Sequence, residues 1–360
     1  MIIGMDAKRA FCTRAGLGQY ARRHIHAMVK HHPEWQFHLF SPHTPESEFL
    51  SEMEGHANVS IHTAGKTPPF YWRQWGIAPL CKKLHISLFH GLSNEIPSGL
   101  TCPSLLSLHD LIPFRDPSFI PLIQQVIYRI KMSHGIKNAK TIVCVSAFTQ
   151  KDLARYFPKE LHKSTVIRPF LGKLPAIQAS PPLNRPYLLA LGTLEARKNL
   201  GTLLEAFTEL KQKIPHTLVL VGKEVAFTKA LKAFAHNQGL GERVLFKGAA
   251  SENEKWNWLH YADAVIYPSY LEGFGLPALE AIQANRPILF AQNTAVAEAA
   301  GPIGKAFETR NPGALAQSIL SVLDSPEPYS QSEKNEHLNQ FSEKNLVPQW
   351  TQAYESLLSV

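Results

Sequence analysis

Short apolar runs alternate along this chain with longer stretches in which apolar residues return at helical spacing, the pattern of parallel sheets covered by helices on both faces. In the first half the runs are Met1–Met5, Gln36–Phe40, Val59–His62, Ile86–Phe89, Ser104–Leu108 and Thr141–Val145. A second series follows at Tyr187–Leu191, Thr217–Val221, Val244–Phe246, Ala264–Tyr267 and Pro287–Phe290. Between the series, Arg168 to Arg185 read RPFLGKLPAIQASPPLNR, proline-rich and aperiodic, as a linker should be. The expectation is an α/β protein with two doubly wound domains: 1–168, a linker at 169–185, and 186–344. The polar, proline-containing stretch from Asp324 to Lys334 precedes a last helix at about 345–360, expected to pack back on the first domain.

After a loop expected from Lys8 to Leu17, Ala21, Ile25, Met28 and Val29 mark the apolar face of a helix whose outer face carries Arg22, Arg23, His26 and Lys30. That basic face is one candidate for a membrane surface. The aromatic stretch Phe70-Tyr-Trp-Arg-Gln-Trp75, near Lys66, Lys82 and Lys83, is another; the favoured alternative is a helix packing its aromatics into the first domain.

Composition narrows the classes. The length of 360 residues suits two cores, and 44% hydrophobic against 18% charged residues describes a globular protein. No export signal is expected at the start, and no apolar run reaches the length of a bilayer-spanning helix. Cys12, Cys81, Cys102 and Cys144 are scattered, as reduced cytosolic thiols would be, and the seventeen histidines show no metal-ligand spacing. A cytoplasmic protein without a metal is therefore expected. The net charge of +8 favours anionic partners, and with no nucleic-acid motif present these are a phosphorylated substrate or an anionic membrane touched peripherally.

The sharpest local signal is Glu272-Gly-Phe-Gly-Leu-Pro-Ala-Leu-Glu280, after the strand ending at Tyr267. Gly273 and Gly275 permit backbone angles and close approaches that let main-chain N–H groups of the turn, through Phe274 and Leu276, face a ligand. Pro277 suits the first turn of the helix that follows. Such a helix start attracts phosphate or a sugar hydroxyl, and Glu280, about one turn in, can accept from both hydroxyls of a ribose. A capped helix with two solvated acids is the plain alternative.

The second signal, Gly192-Thr-Leu-Glu-Ala-Arg197-Lys198-Asn199, places adjacent cations at a strand-to-helix crossing, where they can stabilise charge developing on a departing diphosphate. A solvated Arg-Lys pair is the alternative. Gly16-Leu-Gly18 opens a helix but lacks the full dinucleotide fingerprint, which argues against a nicotinamide enzyme. His109 follows the strand Ser104–Leu108 at its carboxyl end, where it can donate to a sugar hydroxyl or phosphate, or make an ordinary structural hydrogen bond. Ser146 to Asp152 looks like helix capping.

Together, GLGQY at 16–20, LHDLIP at 108–113, VSAFTQKDL at 145–153, LGTLEARKNL at 191–200 and YPSYLEGFGLPALEA at 267–281 resemble the family 4 retaining glycosyltransferases. The resemblance implies a GT-B fold, two Rossmann-like domains facing each other across a cleft. It implies that Glu272 and Glu280 are the acids of an E-x7-E motif, touching donor sugar and ribose. Arg197 and Lys198 match a diphosphate-binding pair, Gly16 and Gly18 a loop closing over the phosphates, and His109 a histidine holding the transferred sugar. It further implies retention of anomeric configuration without a side-chain base or a divalent metal. Ala196 stands where proline is common, Asn285-Arg286-Pro287 replaces a glycine-x-proline turn, and Arg168-Pro169-Phe170 replaces asparagine-glycine near the hinge.

The form GTLExRKN is similar to bacterial mannosyltransferases of surface-polysaccharide synthesis, which makes GDP-mannose the first choice of donor and a UDP-hexose the alternative. The expected acceptor is a lipid-linked or lipopolysaccharide-type glycan. Two other classes fit the same architecture: a sugar-nucleotide epimerase, needing no acceptor, and a binding protein without turnover, against which the intact Arg197, Lys198, Glu272 and Glu280 weigh.

Overall fold

The computed structural model describes residues 1–13, 16–325 and 329–358. They form two compact units, Met1–Phe170 with Phe341–Val360, and Leu171–Gln340. The first unit runs β1 (Ile2–Asp6), α1 (Lys8–Cys12), α2 (Gly16–His31), β2 (Gln36–Ser41), α3 (Glu48–Glu54), β3 (Val59–Thr63), α4 (Pro69–Tyr71), α5 (Ile77–Lys83), β4 (Leu88–Gly91), β5 (Ser104–Leu108), α6 (Ile112–Arg115), α7 (Leu122–Asn138), β6 (Thr141–Cys144), α8 (Ala147–Tyr156) and β7 (Ser164–Val166). Its sheet has the order β3-β2-β1-β4-β5-β6-β7 with every pair parallel.

The second unit continues with β8 (Tyr187–Leu191), α9 (Leu200–Leu210), β9 (Thr217–Val221), α10 (Thr228–Asn237), β10 (Val244–Gly248), α11 (Glu252–Tyr261), β11 (Ala264–Tyr267), α12 (Leu276–Gln283), β12 (Ile288–Ala291), α13 (Val296–Ala300), β13 (Lys305–Phe307), α14 (Pro312–Asp324) and α15 (Gln331–Asn339). This sheet is also parallel throughout, in the order β10-β9-β8-β11-β12-β13. The central strands YLLAL and TLVLV are buried at every position, because helices cover both faces and neither face meets water. Chain order reverses between β1 and β4 in one unit and between β8 and β11 in the other; at such reversals the loops splay apart and leave a crevice at the strand carboxyl ends. Both sheets are doubly wound and Rossmann-like, the expected fold class.

The apolar runs locate the strands, with Ile86–Phe89 shifted to Leu88–Gly91. Two strands escaped the pattern, β7 and β13, each three residues long at a sheet edge, where one row of hydrogen bonds suffices and little apolar surface is needed. The expected loop from Lys8 to Leu17 is instead α1 and the start of α2; α1 is too short to show a period, and only Ala10 and Phe11 are buried. Residues 14–15 and 326–328 lie outside the described residues.

The outer face of α2 is also not the open basic surface the sequence suggests. Arg22 donates to the carbonyls of Ala10 (2.6 Å) and Thr13 (2.9 Å), His26 meets Glu52, and Lys30 meets Glu343 at 2.6 Å. These contacts tie α2 to its neighbours within the unit. A second correction concerns Phe70 to Trp75. Only Trp72 enters the core, whereas Phe70, Tyr71 and Trp75 are exposed, and the chain takes a π-helical turn at Trp72–Gly76.

The last helix, α16 (Glu343–Leu358), belongs to the first unit and buries Trp350 and Tyr354 there completely. Tyr354 hydroxyl lies 2.7 Å from both His24 Nε2 and His90 Nδ1; His90 Nε2 meets Ser107 Oγ at 2.8 Å, and Ser107 Oγ meets Tyr20 hydroxyl at 2.8 Å. This chain of buried polar groups links α16, α2, β4 and β5. Burial holds the His24 imidazole at about 3, and holds His90 well below its ordinary range.

Both rings therefore fold neutral, while in the unfolded chain they take up protons below about pH 6.5. Stability from this source is present above that value and is lost as pH falls toward the folded values. Urea unfolding between neutral pH and about pH 5 should show stability falling, each such histidine steepening the slope by at most about 1.4 kcal/mol per pH unit. Stability that stays level or rises on acidification would contradict neutral burial.

Candidate functional site

In the second unit the reversal of chain order brings the segment after β8 beside the segment after β11. Gly192 follows β8 with φ of 127°, a conformation glycine adopts without strain. A Cβ there would stand 3.2 Å from Lys198 Cε and 3.3 Å from its Nζ, so the missing side chain makes room for the lysine. Ala196–Lys198 form a single 3-10 turn, and Asn199, with φ of 54°, redirects the chain into α9. The Arg197 carbonyl accepts from Tyr270 N at 2.9 Å, fixing this turn to the loop that carries Glu272.

Glu272 gathers both cations on one oxygen. Its Oε1 lies 2.6 Å from Lys198 Nζ and 2.9 Å from Arg197 NH1. Arg197 also reaches Glu195 Oε1 at 2.8 Å and the Leu271 carbonyl at 2.8 Å; Lys198 Nζ donates to the Tyr267 hydroxyl at 2.9 Å and stands over that ring. Lys198 is 8% exposed, so the two solvated side chains of the plain alternative are excluded.

Burial alone would raise the Glu272 carboxyl, but Arg197 and Lys198 outweigh it and hold the group at about 2. Burial and the Arg197 charge lower Lys198, while Glu272 opposes them. Tyr267 is pushed well above its ordinary value by burial and by the Glu272 and Glu280 carboxylates. At neutral pH the site therefore holds an ionised carboxylate with two cations fixed beside it.

The turn from Gly273 to Leu276 leads into α12. Gly275 takes φ of 112°, and a Cβ there would crowd Val296 at 3.2 Å, so glycine serves both the turn and its packing. Among the described residues no side chain caps this helix start. Glu280 is buried in α12, at 3% exposure, with Oε2 3.0 Å from Lys255 Nζ; Lys255 is also held by Glu252 at 2.7 Å. Glu280 is thus a buried, oriented acid, not a solvated one.

In the first unit, His109 follows β5 and is 7% exposed. Its backbone N–H donates to Asn94 Oδ1 at 2.6 Å, and its Nε2 lies 2.8 Å from the Leu92 carbonyl, which can only accept. Nε2 therefore carries the hydrogen. Burial keeps the ring at about 4, so Nδ1 is left as an acceptor. The expectation that His109 donates to a ligand is corrected to this extent: its proton is committed to Leu92. Tyr20 of α2 meets the His109 ring edge-on at 4.4 Å. Gly18 is buried where a Cβ would collide with the Thr13 carbonyl, and Gly16 has open space around it. Close backbone packing therefore accounts for glycine at 18 without any ligand.

The sequence did not single out Lys255, Tyr267 or Asn94. Lys255 lies on α11, 25 residues from its partner Glu280, and no local motif marks it. Tyr267 sat in view as a strand end, but its hydroxyl becomes polar company for Lys198 only through the side-by-side pairing of β8 and β11. Among the described residues no group of three His, Cys, Asp or Glu side chains is placed to hold a metal.

Residues 176–344 match the family described as Glycosyl transferases group 1. The O-antigen chain mannosyltransferase B of Escherichia coli is 27% identical over 285 residues, 75% of this chain and 74% of that protein. The O-antigen chain mannosyltransferase RfbU of Salmonella typhimurium is 27% identical over 187 residues, 51% of this chain and 50% of its own length. Among solved structures, sucrose-phosphate synthase from Thermosynechococcus elongatus superposes with a TM-score of 0.76 at 18% identity, covering 100% of this chain and 99% of that one; that likeness concerns the fold alone, and the fold is that of the GT-B glycosyltransferases. With the buried Arg197, Lys198 and Glu272 cluster inside the matched segment, the chain carries a group 1 glycosyl transferase domain.

Proposed function

We propose that this protein is a retaining, family 4 type glycosyltransferase that moves a hexose from a nucleotide-sugar, GDP-mannose in the first instance, onto a glycan or lipid-linked acceptor of surface-polysaccharide synthesis. The observation that carries the reading is the pair of cations at Arg197 and Lys198, fixed on Glu272 where β8 and β11 part. The relatedness to O-antigen mannosyltransferases supports mannose as the sugar.

Each residue then has a task. Lys198 and Arg197 hold the diphosphate and stabilise the charge it gains on leaving, the electrostatic work a divalent ion performs elsewhere. Gly192 lets the phosphates approach the backbone, and the N–H groups from Gly273 through Phe274 and Gly275 to Leu276 face the donor. Glu272, partly released as the phosphates draw the cations, accepts from donor sugar hydroxyls. Glu280, oriented by Lys255, accepts from the ribose diol. In the first unit, Gly16 and Gly18 open the helix assigned to the phosphates, and His109 Nδ1 accepts from a hydroxyl of the transferred sugar.

Bond-making follows a front-face course. The bond from the sugar's anomeric carbon to the phosphate oxygen breaks, the acceptor oxygen bonds to that carbon on the same face, and its proton passes to the departing phosphate oxygen. No side-chain base is required.

Three measurements test this. Warming the protein with a panel of GDP-, UDP- and ADP-sugars should show stabilisation by one donor, about 2.7 kcal/mol when that donor is at a hundred times its Kd. Lys198→Ala and Glu280→Ala should each abolish that protection; both variants binding like the parent would overturn the site. Proton NMR of the product should show the donor's anomeric configuration kept, and loss of Lys198 should lower turnover on the order of a hundredfold to a thousandfold. An inverted product would refute the front-face course.

A further inference from the structure

The first half of α7 is inverted with respect to an ordinary surface helix. Leu122 is 79% exposed, Ile123 78% and Ile130 64%, with Val126 and Ile127 exposed beside them. At 100° per residue these five side chains fall within an arc of about 140°. Two polar side chains of the same turns, Gln125 and Arg129, reach back to the body of the unit. Gln125 Nε2 donates to the carbonyls of Pro117 (2.8 Å) and Ile120 (2.7 Å), and Arg129 Nε donates to the Pro113 carbonyl at 2.8 Å. Inward hydrogen bonds therefore fix the helix in the orientation that sends its apolar stripe into water.

The stripe is not alone. Lys131, one residue beyond it, stands 4.9 Å over the ring of Phe70, and shares Glu95 with Arg73. This joins α7 to the segment that exposes Phe70, Tyr71 and Trp75, whose rings contact one another. Both stretches are one-sided in charge. Residues 55–94 contain four Lys or Arg, and residues 117–151 contain five, with no Asp or Glu in either. Lys66, Lys82, Lys83, Lys137 and Lys140 are exposed.

We propose that α7 with Phe70, Tyr71 and Trp75 is a docking surface for an anionic lipid bilayer: the aliphatic stripe enters the apolar boundary, the aromatics sit at headgroup depth, and the flanking lysines meet lipid phosphates. The exposed lysines around it outnumber Glu95, the acid already shared by Lys131 and Arg73, and select this occupant, because a second copy of the chain would bring like charges together, whereas an anionic membrane neutralises them. Among the described residues no helix is long and apolar enough to cross a membrane, so the contact is interfacial. It is a different surface from the outer face of α2, whose cations have partners within the unit. The inference stands apart from the donor chemistry proposed above.

The test is co-sedimentation with vesicles of phosphatidylcholine, or of phosphatidylcholine and phosphatidylglycerol in equal parts. The protein should sediment with the mixed vesicles and far less with phosphatidylcholine alone, and added salt should weaken binding. Val126→Gln with Ile127→Gln should lower vesicle affinity about tenfold or more, with an unchanged melting temperature since both positions are exposed. Lys82→Glu with Lys83→Glu should remove the preference for phosphatidylglycerol. Donor protection in all these variants should match the parent, which separates failure here from failure of the transferase reading. A parent protein that stays in the supernatant would overturn the proposal. So would a glutamine variant that binds like the parent, or a dimer in sedimentation equilibrium that the glutamine variant dissociates without vesicle binding.

Discussion

A buried carboxylate that must hold two cations sets the character of the second unit. Glu272 cannot keep its charge away from water without Lys198 and Arg197, and Lys198, buried itself, cannot keep its own without Glu272. That mutual dependence fixes the turn after β8 to the loop after β11. Gly192 clears the space, Asn199 turns the chain, and Tyr267 receives a lysine hydrogen that would otherwise be unpaired. Any anion that is to displace Glu272 from these cations must match it in charge and hydrogen bonding, which a diphosphate does and a neutral sugar does not.

The same economy of buried polar groups organises the first unit. His24, Tyr354, His90, Ser107 and Tyr20 form one hydrogen-bonded chain across four elements, and His109 gives its one hydrogen to Leu92. Each ring folds neutral, so the network adds directional contacts without burying charge. It also explains why the last helix of the chain belongs here: Tyr354 is the link between two histidines, and Trp350 packs edge-on against one of them at 4.4 Å.

Much of the architecture could be read from residue order. Fully buried parallel strands such as YLLAL and TLVLV are continuous apolar runs, and a run of that kind needs no partner to be recognised. Glu272, Glu280, Arg197 and Lys198 stood out because glycine turns and helix starts surround them in sequence. What the sequence hid depends on contacts between distant residues: Lys255 behind Glu280, Asn94 beneath His109, and the neighbours that take up the charges of α2. The exposed aromatics were misjudged for another reason. The stretch was expected to pack its aromatics inward as an ordinary helix, whereas it contains a π-helical turn and only Trp72 of its aromatic residues is buried.

The most direct examination is a crystal structure of the protein soaked with GDP-mannose and with UDP-hexoses. The expected result is a diphosphate with an oxygen within hydrogen-bonding distance of Lys198 Nζ and of the Arg197 guanidinium, and ribose hydroxyls on Glu280. A nucleotide bound elsewhere, with Lys198 and Arg197 still seated on Glu272, would contradict it.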